Sequence, residues 1–155
     1  MKIGELRFRS GLARQMGLPA GTGSFVRPSP PLGEGAAIRG AALFDTVWYL
    51  ERNPDGVSFS DPIEHYIAVG AASHRAPHPL FDLEWYQATV PDAAASGLTP
   101  LGHFVLHGEA AGASPNPLFD PAWYARQPNV PKGRREGLFR HFLHEGARQG
   151  LSPHP

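Results

Sequence analysis

Residues 80–86, Leu80-Phe81-Asp82-Leu83-Glu84-Trp85-Tyr86, lead into Pro91-Asp92-Ala93-Ala94-Ala95-Ser96-Gly97-Leu98-Thr99-Pro100-Leu101-Gly102-His103-Phe104, and both parts recur on either side. Leu43-Phe44-Asp45-Thr46-Val47-Trp48-Tyr49 and Leu118-Phe119-Asp120-Pro121-Ala122-Trp123-Tyr124 flank the first part at spacings of 37 and 38. Pro62-Ile63-Glu64-His65-Tyr66, Pro100-Leu101-Gly102-His103-Phe104 and Leu138-Phe139-Arg140-His141-Phe142 are spaced by 38 and 38. Gly70, Gly108 and Gly146 follow in register, then Pro77-His78-Pro79, Pro115-Asn116-Pro117 and Pro153-His154-Pro155. Self-similarity at a fixed period marks a repeat architecture. Residues 42–155 therefore read as three units, 42–79, 80–117 and 118–155.

Each unit reads as two short helices. Asp45, Asp82 and Asp120 are placed to accept from the free N–H groups of a first helical turn. Phe44, Phe81 and Phe119 precede those caps, with Tyr49, Tyr86 and Tyr124 five residues on, the spacing of a hydrophobic staple. Pro54, Pro91 and Pro128 end the first helix, because the residue before proline is steered away from helical backbone. A second helix begins after Asp61, Thr99 or Gly137, with Glu64 completing a capping box behind Asp61. Its apolar residues (Ile63, Tyr66, Ile67; Leu101, Phe104, Val105; Phe139, Phe142, Leu143) form one stripe. Gly70, Gly108 and Gly146 suit a left-handed helix end, and the Pro-x-Pro segments suit extended spacers. Such short helices need neighbours. The expected fold is all-α, a compact or gently stacked array of three tandem two-helix units behind an extended, mostly irregular N-terminal arm.

That arm is residues 1–41, where 12 residues are Gly or Pro and Phe8 and Phe25 are the only aromatics, against 14 aromatics in the other 114 residues. So little core-forming surface does not offset the entropy of ordering. The chain's 14 basic and 14 acidic side chains give no net charge, which removes any general pull toward nucleic acid. Their distribution is uneven: +4 over residues 1–41, −7 over 42–117 and +3 over 118–155. Arg7, Arg9, Arg14 and Arg27 are the arm's candidate anchors to an acidic protein surface. The absence of cysteine removes disulfides and thiolate chemistry. No apolar run of about 20 residues is available for membrane insertion, and none opens the chain as a secretory signal. Synthesis in a bacterial cytoplasm, with possible incorporation into a released particle, is the expectation.

The unit resembles the repeat found beside bacterial glycosyltransferase and cell-surface polysaccharide enzymes, in its Phe-Asp-x-x-Trp-Tyr, Pro-Asp, Pro-Leu-x-His-Phe-x-x-x-Gly and Pro-x-Pro elements. The resemblance covers residues 42–155, closest in the second unit and loosest in the third, where Pro131-Lys132-Gly133-Arg134-Arg135-Glu136 replaces the alanine-rich turn. It implies an accessory segment, not a catalytic one.

Of the residues with chemical potential, His65, His103 and His141 recur once per unit, so a repeated ligand site competes with an internal role. A group repeated per unit usually serves the unit, and a hydrogen bond to an aspartate cap or a free carbonyl is the favoured reading. His103 with His107, and His141 with His144, have helical metal-ligand spacing but no evident third ligand, so no metal or other cofactor is expected. Trp48, Trp85 and Trp123 are flat rings with a polar edge, suited to core packing or to a sugar-binding platform. Gly21-Thr22-Gly23-Ser24 lacks the lysine of a phosphate loop. Asp61 and Glu64 are explained by capping. The reading is a non-enzymatic structural or adaptor protein: the arm joins other protein subunits in an oligomeric assembly, such as a spike or decoration of a phage-like particle. The repeats would present a protein- or glycan-binding surface. The alternative is a carbohydrate-binding or scaffolding module serving a glycosyltransferase.

Overall fold

The structure, a computed structural model, describes residues 33–133 and 137–155. The described residues are helical and contain no strand. Helix α1 spans Glu34–Ala41, and α2 Thr46–Arg52 runs into a 3-10 turn at Pro54–Ser58. Helix α3 is Pro62–His65, widening into a π-helical stretch at Tyr66–Gly70. The second unit holds α4 Leu83–Thr89, α5 Pro91–Ala95 and α6 Pro100–His103, which widens over Phe104–Gly108. The third holds α7 Pro121–Tyr124 and α8 Leu138–His141, widening over Phe142–Gly146.

The caps and staples take their expected places. Asp45, Asp82 and Asp120 accept from the N–H groups of Trp48, Trp85 and Trp123 at 3.0, 2.9 and 2.9 Å. Phe44, Phe81 and Phe119 lie 4.9, 5.4 and 5.3 Å from the rings of Tyr49, Tyr86 and Tyr124. Pro54 and Pro91 end one element and open the next short one. Glu64 differs from expectation, since it accepts from the Ser60 hydroxyl at 3.0 Å.

Three expectations are corrected. The Pro-x-Pro segments are turns that close back on their own unit: the N–H groups of Asp45, Asp82 and Asp120 donate to the carbonyls of Pro77, Pro115 and Pro153 at 3.1, 3.0 and 2.8 Å. Gly70, at φ −59 and ψ −50, is ordinary right-handed helix, and Gly108 and Gly146 likewise lack a positive φ. The left-handed residues fall four positions later, at His74, Gly112 and Gly150, because the widened turns carry the helix past the glycine.

The third correction concerns the arm. Its last eight residues form α1, whose Ile38 is fully buried. Composition averaged over 1–41 hides the run Glu34-Gly-Ala-Ala-Ile38, which is short in aromatics but sufficient for a helix with one apolar anchor. Arg7, Arg9, Arg14 and Arg27 lie outside the described residues. Helix α1 packs against α3 and α6, Gly35 sits beside Ile67, and the C-terminal carbonyls of Gly40 and Ala42 meet Arg140 and His144, both at 3.3 Å. All three units therefore touch α1. Phe139 joins the circuit, 6.2 Å from Phe104 and 6.4 Å from His78.

His78 places a titratable group in a turn. Its Nδ1 accepts from the Leu80 N–H at 3.0 Å, as Asn116 Oδ1 accepts from Leu118 at 2.8 Å. Burial pushes the His78 imidazole below its ordinary value; Asp45 opposes this and His144 adds to it. A depressed histidine contributes stability above its unfolded value of about 6.5 that is lost as pH falls through the folded value. Burial also lowers His103, with help from His107 and against Asp92, so it acts in the same direction. The thermal midpoint is expected to fall between about pH 7 and pH 5, and to fall less in His78→Asn, which keeps the turn without the proton. An equal fall in that variant would remove His78 from the account.

Candidate functional site

The three histidines are built into the folded units. Each lies on the last turn of the short α-helix that opens the second helix, one residue before the π-helical stretch, and its Nδ1 meets the hydroxyl of the staple tyrosine. The distances are 3.0 Å for Tyr49–His65, 2.8 Å for Tyr86–His103 and 2.7 Å for Tyr124–His141. The partner is thus a tyrosine hydroxyl, not the aspartate cap or free carbonyl expected from helical angles. All three tyrosine rings are fully buried, which raises their hydroxyls above the ordinary value, Tyr124 to about 12. They remain neutral at physiological pH.

The glycines complete the arrangement. A Cβ on Gly70, Gly108 or Gly146 would fall well inside 3.0 Å of the hydroxyl of Tyr49, Tyr86 or Tyr124. The recurrence of Tyr, His and Gly in the three units, with His and Gly always five apart, thus has one cause: a hydroxyl wedged between an imidazole and a bare helix backbone.

The second nitrogens differ. His65 Nε2 lies 3.4 Å from Asp55, whose carboxyl is held below its usual range by Arg75 at 2.7 Å. His141 Nε2 is 3.6 Å from Glu145. The rings of His103 and His107 are 5.5 Å apart, while His144 turns away to the Ala42 carbonyl. Among the described residues no three His, Cys, Asp or Glu side chains are grouped to hold a metal ion. A cleft of about 140 Å³ opens beside Arg140, His141 and His144; a larger one, about 410 Å³, is lined by Ala111, Gly112, Pro121, Ala122, Ala125 and Leu138. The larger cleft offers no acid, base or nucleophile.

The tryptophans sit on the first helices and divide from the tyrosines beside them. Trp48 and Trp123 are partly buried and Trp85 is 37% exposed. Arg52 lies 4.3 Å from the Trp48 ring and Arg126 5.7 Å from that of Trp123. The structure places these three rings on separate helices.

Sequence reading overlooked Glu34. This carboxylate is buried, and its Oε1 accepts from the Thr99 N–H at 2.8 Å and the Thr99 hydroxyl at 2.6 Å. A Cβ on Gly102 would overlap it. Thr99 also caps α6 through the Gly102 N–H at 3.1 Å, so Glu34 fastens α1 to the start of that helix. The available signal is an acid two residues before Ala36-Ala37-Ile38, just ahead of the first unit. No helix among the described residues is long and apolar enough to cross a membrane. In comparisons with protein-family models, characterised proteins and solved structures, nothing matches this chain.

Proposed function

We propose that the protein is a non-enzymatic association module: three copies of one helical unit gathered around α1, with first-helix tryptophans as attachment points and residues 1–32 as an anchor to neighbouring subunits. One observation carries this reading. The side chains with catalytic potential that recur in every unit are engaged with one another inside the fold, Tyr with His and Asp with a helix end, while the recurring tryptophans keep accessible surface. A large assembly such as a particle decorated with this chain suits a module of that kind.

A second reading has its own support. Partly exposed indole rings suit the faces of pyranose sugars, and the resemblance to repeats beside polysaccharide enzymes points the same way, to an accessory carbohydrate-binding or scaffolding role. Light scattering on the full chain separates the two. A defined oligomer is expected. A monomer at every concentration whose tryptophan fluorescence shifts with a neutral oligosaccharide would overturn the association reading in favour of the glycan.

A further inference from the structure

The three tryptophans are equivalent in sequence and unequal in structure. Trp48 has Arg52 four residues on, at the end of α2, and Trp123 has Arg126 three residues on, in the turn after α7, so each indole lies against a guanidinium from its own unit. Four residues after Trp85, where Arg52 stands relative to Trp48, is Thr89, whose hydroxyl bonds the Trp85 carbonyl at 2.8 Å, and three residues after it is Ala88. No cation among the described residues lies over Trp85, and it is the most exposed of the three. The second unit explains why none is near: residues 80–117 contain Asp82, Glu84, Asp92 and Glu109 and no Lys or Arg. Glu84 and Asp92 are exposed. An indole face without its cation, on a unit of net charge −4, is a surface suited to an arginine brought from elsewhere. The chain itself carries the complement: Lys2, Arg7, Arg9, Arg14 and Arg27 against Glu5 give residues 1–32 a net charge of +4.

We propose that Trp85 and the acidic second unit form the docking surface for the basic residues 1–32 of a second copy of this chain, an arginine there completing the stack that Arg52 and Arg126 make elsewhere. The inference rests on the association reading above and gives it a partner and a surface. Such a contact joins different surfaces of two copies, so it propagates in a ring or a row.

Sedimentation velocity on the full chain tests it, at about 0.05 M and about 0.5 M salt, where screening of exposed charges differs strongly. The expected result is self-association at low salt that weakens at high salt. Trp85→Ala should weaken it about tenfold, the scale of one desolvated cation–π contact and its surroundings, measured at a temperature where circular dichroism shows the variant folded. The quadruple variant Arg7→Gln, Arg9→Gln, Arg14→Gln, Arg27→Gln should weaken it as well, and Trp48→Ala should not. Association of undiminished strength in Trp85→Ala or in the quadruple variant would overturn this docking surface while leaving the association reading in place. A monomer under all conditions would overturn both.

Discussion

Gly108→Ala is expected to destabilise the protein by about 1–3 kcal/mol, the range of an overpacked core position. Alanine usually stabilises a helix relative to glycine by about 0.5–1 kcal/mol, so the sign itself is informative. The hydroxyl of Tyr86 occupies the place of the added carbon, and it has no room to retreat: its ring is fully buried and it is tied to His103 at 2.8 Å. Gly40→Ala is the control, since nothing lies within 4 Å of its Cβ position in α1, and it should hold or raise stability. In a Tyr86→Phe background, the cost of Gly108→Ala should shrink, because the atom it strikes is gone. Urea unfolding of the four variants measures all of this; a stabilising Gly108→Ala would show that the wedge is absent.

The second large effect belongs to α1. Ile38→Ala is expected to cost about 2–5 kcal/mol, the range for deleting a fully buried aliphatic side chain. Glu34→Ala should cost about 1–3 kcal/mol by stripping the buried Thr99 N–H and hydroxyl of their acceptor. A chain trimmed to residues 42–155 loses both contacts, and the sum approaches the 5–15 kcal/mol that hold a typical domain together. Such a chain should lose its cooperative melt in circular dichroism. A trimmed chain that melts at the parent's temperature would restore residue 41 as the boundary between arm and domain.

These two cases also show what the sequence makes legible. Asp82, Phe81 and Tyr86 interact within five residues, so caps and staples follow from spacing alone. The Tyr86–His103 bond spans 17 residues, and the angle at which the two helices face each other decides it. The spacing of Gly108 is visible in the sequence, but backbone conformation is the commonest reason for glycine after a helix and so masks its purpose. A close approach by a side chain from another helix leaves no local mark. Ile38 was lost by averaging: one buried residue and one buried acid, set among glycines and prolines, define the element that all three units touch. The candidate site was legible in its members, since Trp85 and its partners were identifiable by repetition. The difference between Trp85 and its counterparts lay in Thr89 standing where Arg52 stands in the first unit.

That the recurring histidines serve the fold is the claim on which the functional reading depends, and a double-mutant cycle tests it most directly. Tyr86→Phe, His103→Gln and the double variant are unfolded in urea alongside the parent protein. Each single variant is expected to lose stability, with the pair coupled by about 0.5–1.5 kcal/mol, the net worth of a buried hydrogen bond. Single variants as stable as the parent, with no coupling between them, would contradict it and free His65, His103 and His141 for chemistry.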